Sequence, residues 1–394
     1  MQSFIQPVRR RLDGYRRRLA HEHYMWSIGR VKRKNSENYE KWIAHLNRTT
    51  PDVLVGTNFP SGGVRHHVHA IRQYSSLRVE LAPPEELVKD FGLELRQMFS
   101  AFTPTRVRAI HSHVLPWFIE WCRAKQQSGL RWIHTYHLNY FPEHGKNGVL
   151  PWQNEINEAL LKVACHADVR ISVARWQQQD LLKNHKISTF YIPNGVDIAT
   201  CDKGNPARFQ KIVGKDKFVL FVGRNDPVKN PEDFVRLAER LPRLRFVMMG
   251  HGLTRKLVTD EWEIPIPRNL VIFSAASHAQ VQDAIAACSA LVVTSKREGL
   301  PTLVMEAMAQ QKPVVVPNEA GSMEAISDGD FGFIYSQGNL DDLADCTIKA
   351  IADTRKCQHS RQRILSEYDW RVTAPKLDAI YTSDPRAALE SFDN

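Results

Sequence analysis

Across 394 residues there is no apolar run of the roughly 18–20 residues that a bilayer-spanning helix needs, and no apolar stretch near the first residue has the form of a secretory signal. Cys-x-x-Cys pairs are absent too. The six cysteines (Cys122, Cys165, Cys201, Cys288, Cys346, Cys357) are scattered, which argues against a disulfide framework or a thiolate zinc site and for reduced thiols in a cytoplasmic protein. No internal repeat or low-complexity tract stands out, although the two halves of the chain share an architecture. Acidic residues are scarce at the start: residues 1–48 hold twelve Arg and Lys against four Asp and Glu, which accounts for most of the net charge of +10. The rest of the chain is nearly neutral, so any basic partner surface belongs to this first segment.

What is present is the composition of a soluble globular protein, 43% hydrophobic and 24% charged, in a chain long enough for two domains of roughly 180–200 residues. From about Asp52, short strand-like runs alternate with helical patterns, as in a parallel sheet covered by helices. The first series is Val53–Thr57, Arg78–Ala82, Arg106–His111, Trp132–Tyr136, Val169–Val173 and Phe190–Pro193. The second is Phe218–Val222, Arg245–Met249, Leu270–Phe273, Leu291–Thr294, Pro313–Val316 and Phe331–Tyr335, apolar runs with little alternation, as strands buried on both faces should be. Helical spacing marks Glu155–Ala164, Asp233–Leu241, Val281–Ala287 and Leu340–Ala352, with more helix to about Ile380. The expected divisions are a basic helical extension (1–50), a first α/β domain (51–197), a linker (198–216) that contains Gly204, Pro206 and Gly214 and shows no period, a second α/β domain (217–370) and a helical tail (371–394).

The most informative segment is Ser295-Lys-Arg-Glu298-Gly-Leu-Pro-Thr-Leu-Val-Met-Glu306-Ala. It follows a strand and is expected to open a helix near Pro301, whose first-turn amides around Thr302 and Leu303 can receive phosphate oxygens. Were the segment wholly helical, Glu298 and Glu306 would stand ~12 Å apart along the axis. That is wider than the about 5–9.5 Å between paired glycosidase carboxylates, and suits the two ends of a nucleotide sugar.

This Glu-x7-Glu pattern resembles the retaining glycosyltransferases of the GT-B fold, specifically their fourth family, over about Val53 to Tyr381. Further markers are Ser61-Gly-Gly63, the strand ends at His113 and His137, Pro193-Asn-Gly-Val-Asp197, Phe221–Asn230, Met249-Gly-His-Gly252 and Glu319–Gly329. The resemblance implies two facing Rossmann-like, doubly wound α/β domains, with a C-terminal helix crossing back to the first. It implies that Arg224 and Lys229 grip the donor diphosphate and that Gly62 and Gly63 let backbone approach it from the opposite domain. Glu306 would bind the ribose hydroxyls, Glu298 the donor sugar, and His137 would line the reacting centre; Glu298, His137, Arg224 and Lys229 form the expected catalytic set. Gly250, Gly252, Leu300, Pro301 and Thr302 complete the donor site, and the loop Ser274–Ser277 would read the base. The donor would be a UDP- or GDP-sugar and the acceptor a glycan or lipid-linked glycan, in surface polysaccharide or glycolipid assembly. Two departures from the family pattern, Asn230 for a glycine and Ala174 for a serine, remove no charge.

The stretch Leu138–Gln153 is individual to this chain, and Tyr140, Glu143 and His144, with His113, are expected to face the acceptor. The clusters His66-His67-x-His69 and His111-Ser-His113 lack the carboxylate or thiolate usual in a metal site and read as structural or acceptor-side groups. Gly250-His-Gly252 has Arg255 where a dinucleotide fingerprint has its third glycine, and Asp328-Gly-Asp330 reads as a turn. No essential metal or other cofactor is expected. A nucleotide-sugar epimerase sharing the architecture is the alternative; a phosphorylase would be expected to carry pyridoxal phosphate or a longer chain, and the body lacks a nucleic-acid recognition motif. Within residues 4–19, Phe4 and Ile5, then Val8, Leu12, Tyr15 and Leu19, make an apolar stripe beside six arginines. That is the pattern of a helix lying on an anionic membrane face, or else of one packing on its own domain or a second subunit.

Overall fold

The computed structural model describes residues 36–56, 62–84, 99, 102–104, 106–140 and 149–385. Strands β1 (Val53–Gly56), β2 (Val79–Ala82), β3 (Ala109–Ser112), β4 (Arg131–Tyr136), β5 (Val169–Ser172) and β6 (Phe190–Tyr191) form one six-stranded sheet in the order β2-β1-β3-β4-β5-β6. Strands β7 (Phe218–Val222), β8 (Arg245–Met249), β9 (Leu270–Phe273), β10 (Ala290–Val292), β11 (Val314–Pro317) and β12 (Phe333–Tyr335) form the second, in the order β12-β11-β10-β7-β8-β9. Every pairing is parallel. The chain therefore folds as the expected pair of doubly wound α/β units, and several strands start or stop a few residues from the expected bounds.

Both faces of each sheet are apolar. In β7, Phe218 and Leu220 point into one core while Val219 and Phe221 point into the other. In β1, Leu54 packs with Phe118 and Trp132, and Val53 and Val55 pack with Val68 and Ile71. Parallel strands covered by helices on both sides need this two-faced burial, which is why their sequences do not alternate.

Two expectations need correction. Residues 198–216 are not an aperiodic linker: they hold the helices Ile198–Cys201 and Pro206–Val213, and Phe209 and Val213 are buried in the second domain's core. Residues 36–49, assigned above to the basic extension, form a helix whose Trp42 and Leu46 join the first core, with Trp42 stacked on Phe99 at 5.3 Å between ring centroids. The stripe at residues 4–19 lies outside the described residues. Among those described, no helix is long and apolar enough to cross a membrane.

The chain crosses between the domains twice. Val196 on the way out and Tyr368–Trp370 on the way back are tied by backbone hydrogen bonds of 2.6 and 3.2 Å. The returning helix Trp370–Thr382 then buries Trp370, Ala374, Leu377, Ile380 and Tyr381 among Val53, Val68, Ile71 and Ile133 of the first domain. Ile380 is fully buried, so Ile380→Ala should destabilise the first domain by about 2–5 kcal/mol, the usual cost of such a cavity. Urea unfolding followed by tryptophan fluorescence measures this; a loss below about 1 kcal/mol would mean that the helix is not part of that core.

Candidate active site

In a doubly wound sheet ligands bind beyond the carboxyl ends of the strands, where the strand order reverses. In the first sheet that point lies between β1 and β3, and in the second between β7 and β10. The segments leaving these strands hold Gly62–Gly63, His113, Arg224 and Ser295–Glu298. The two switch points face each other. A Cβ placed on Gly63 would stand 3.9 Å from the Thr302 hydroxyl of the opposite domain. Gly63 opens the helix Gly63–Tyr74 and Thr302 opens the helix Thr302–Ala309, so two positive helix ends converge on one point. Gly62 caps the first of these helices at φ +110°, a conformation that side chains other than glycine rarely adopt. Pro301 is the capping residue, not the first helical one; its carbonyl accepts from Val304 and Met305, leaving the Thr302 and Leu303 amides ahead of the first intrahelical bond.

Glu298 precedes the helix and is directed away from Glu306. Its Oε1 accepts from Lys229 Nζ at 2.5 Å and from Ser295 Oγ at 2.6 Å, while its backbone N–H donates to Glu319. The Glu319 carboxylate also receives the Gly321 and Ser322 amides at the start of the next helix, so one half-buried acid fixes both that helix and the Glu298 backbone. Burial raises the Glu319 pKa, against the hydrogen bond from Ser322. Arg224 pairs with Asp226 at 2.6 Å and keeps half of its side chain open to solvent. Asn230 sits at φ +47°, which explains the glycine common at that place; its amide also bonds Asp233 at 2.6 Å.

Glu306 faces a different set of partners. Gln282 Nε2 donates to Oε2 at 2.6 Å, and His278 Nε2 lies 3.4 Å from Oε1, raising the His278 pKa through that contact. Across the cleft, the His66 ring stands 4.5 Å from that of His278. Sequence reasoning missed Gln282, His278, Ser295 and Glu319 as partners of the two acids. The capping box Ser277–Gln280 was the available signal for the first pair, because it places His278 and Gln282 one turn apart on the helix that follows.

On the first domain's side, His137 and His113 are brought together, with His113 Nδ1 and His137 Nε2 3.0 Å apart, and His67 packs edge-on to both rings. Burial holds all three imidazoles neutral, His67 at about 4 and the other two well below the ordinary histidine range. His111 instead bonds Tyr381 and Thr135, a structural role. Tyr140 is clamped by Asn157, which bonds both its backbone N–H and its carbonyl at 2.8 Å. Its hydroxyl lies within the field of Arg224 across the cleft. Glu143 and His144 lie outside the described residues. Gly250 is required because a Cβ there would meet the Gly223 carbonyl oxygen at 1.6 Å; Gly252, at φ +79°, adjoins Asn225. Asp328 and Asp330 are exposed in a tight turn, as expected.

The domains also touch through groups outside the expected site set. Ala174 cannot cap the helix Arg175–His185, and Glu324 of the second domain supplies the acceptor instead, taking the Arg175 and Trp176 amides at 2.8 and 3.0 Å. The Trp176 indole donates to the Gly299 carbonyl at 2.7 Å, and Asn194 Nδ2 donates to that of Leu300 at 3.0 Å.

The chain matches two families in series: the one described as "Glycosyltransferase Family 4" over residues 40–200, and "Glycosyl transferases group 1" over residues 203–366. It is 29% identical over 207 residues to the D-inositol 3-phosphate glycosyltransferase of Mycolicibacterium smegmatis, across 49% of this chain and 48% of that protein. The chain thus spans about half the length of the curated relatives it matches. Among solved structures it resembles the sucrose-phosphate synthase of Thermosynechococcus elongatus, at 16% identity and a TM-score of 0.67 over 86% of this chain and 99% of that one. It also resembles the Anabaena protein HepE solved with UDP-glucose, at 18% identity and a TM-score of 0.65 over 86% and 99%. These likenesses are of fold. With one family match falling on each six-stranded sheet, in chain order, the protein belongs to the family 4 glycosyltransferases of the GT-B fold.

Proposed function

We propose that the protein is a retaining glycosyltransferase that moves a hexosyl or N-acetylhexosaminyl group from a nucleoside-diphosphate sugar to a hydroxyl of a glycan or glycolipid. The observation that carries this reading is the convergence of two helix N-termini and two basic side chains between carboxylates with separate partners. HepE, which this chain resembles in fold, was solved with UDP-glucose, and a uridine or guanosine donor fits the same reading.

In this reading the diphosphate lies at Gly63 and Thr302–Leu303, where amides and helix dipoles favour anionic oxygens, and Arg224 and Lys229 neutralise the charge that grows as the sugar leaves. A carboxylate has about four lone-pair positions, so Glu306 can hold Gln282 and His278 and still accept from ribose hydroxyls. Glu298, oriented by Lys229, Ser295 and Glu319, meets the sugar. The acceptor oxygen bonds to the anomeric carbon on the face from which the phosphate oxygen departs, and the acceptor proton passes to that phosphate oxygen. His137, kept neutral by burial, binds a sugar hydroxyl and is a poor base at neutral pH. Tyr140 and His113 lie toward the acceptor.

Glu306→Ala and Arg224→Ala should each weaken nucleoside-diphosphate binding by roughly 1.5–3 kcal/mol, whereas Glu298→Ala should mainly lower kcat. A thermal-shift panel of UDP, GDP, ADP and CMP reads both base preference and affinity, since a ligand at ~100 times its Kd adds about 2.7 kcal/mol of stability. Wild-type affinity for all four in Arg224→Ala would place the donor elsewhere. Turnover should also survive extensive EDTA treatment, because the diphosphate charge is already met by Arg224, Lys229 and the helix ends; loss on chelation with recovery in manganese or magnesium would overturn that. We propose further that the enzyme works on a cytoplasmic membrane face through residues 4–19, each engaged arginine contributing about 1 kcal/mol. Flotation should require anionic vesicles, weaken with salt and vanish when residues 1–20 are removed; undiminished flotation of the truncated protein would dismiss this anchor.

A further inference from the structure

We infer that His67, His113 and His137 form a binding site for one late first-row transition-metal ion of the Zn2+ or Co2+ type, and that filling it inhibits glycosyl transfer. The three residues come from separate elements: the helix Gly63–Tyr74, the end of β3 and the end of β4. One potential ligand atom from each lies within 4.8 Å of the others. A tetrahedral ion with bonds of ~2.0–2.1 Å sets its nitrogens about 3.4 Å apart, so modest ring rotations close the set. The pair His113 Nδ1 and His137 Nε2, at 3.0 Å, is already within that span.

Burial sharpens the case. The residues are 4%, 1% and 8% exposed; Nε2 of His113 has no hydrogen-bond partner among the described residues, and the His67 ring is met by the Asn194 side chain. A metal takes up the lone pair of an imidazole nitrogen directly. Neutral imidazole is the form in which histidine ligates a metal. The one hydrogen between His113 and His137 must move to another ring nitrogen or leave when both facing atoms ligate. With no carboxylate in the triad, Mg2+ and Ca2+ are disfavoured and imidazole-binding ions selected. The fourth position would open toward the cleft, where His137 is least buried of the three.

Inhibition rests on the proposed role of His137 toward the sugar: a nitrogen bound to metal cannot serve a sugar hydroxyl. Metal binding itself does not rest on that role, and the experiment separates the two. Chelator-stripped full-length protein is titrated with Co2+ and followed by its visible absorption. One equivalent should produce a tetrahedral band that Zn2+ abolishes, and His67→Gln and His113→Gln should each remove it. His67→Gln should keep nucleoside-diphosphate binding and metal-free turnover while escaping Zn2+ inhibition. The absence of a band in the wild type, or its persistence in both variants, overturns the site; a band without loss of turnover overturns the inhibitory role.

Discussion

The site depends on how closely two backbones can approach. Gly299, between Glu298 and the helix Thr302–Ala309, lies against the His137 carbonyl of the other domain, so a Cβ there would stand 2.1 Å from that oxygen. Behind it, a Cβ on Gly321 would stand 2.3 Å from the Glu298 carbonyl oxygen. A side chain at either position would push a whole element outward. Because both are glycine, the backbones beside Glu298 and His137 can lie in contact although they come from different sheets. The hydrogen bonds from Trp176 and Asn194 to the carbonyls of Gly299 and Leu300 hold the same segment from the first domain's side.

Charge is distributed along the same line. Glu298 and Glu306 are close in sequence, yet one is met by Lys229 and Ser295 and the other by Gln282 and His278. Such separate surroundings give two like acids different electrostatic settings. Glu324 adds a third device, an acid of one domain completing a helix of the other, so that cap exists only while the domains are together.

Much of this was legible in the sequence. Twelve apolar runs became twelve strands because burial on both faces leaves a continuous hydrophobic signature. The helix Thr302–Ala309 and the Arg224–Lys229 loop are local in the chain, and local motifs can be read. The misreading at residues 198–216 has a definite cause. Gly204 and Gly214 bracket a short helix, with Asn205 as its cap and Pro206 at its first position, so its boundary residues were taken for breakers of structure. The ~12 Å estimate for Glu298 and Glu306 assumed a helix that begins only at Thr302. The histidine triad, the Glu324 cap and the Glu319 brace could not be found by spacing, since each joins residues far apart in the chain or set by another element's packing.

The returning helix bears on how such a protein can be recombined. The first domain's core is completed by residues from the far end of the chain, and a Cβ on Gly195 would stand 2.5 Å from the Trp370 ring. A single cut near residue 200 therefore does not divide the molecule into two self-sufficient halves. A chimaera of two relatives inherits matched cores only if 370–382 travels with the N-terminal parent, which makes the exchangeable second domain an insert with two junctions instead of a C-terminal half.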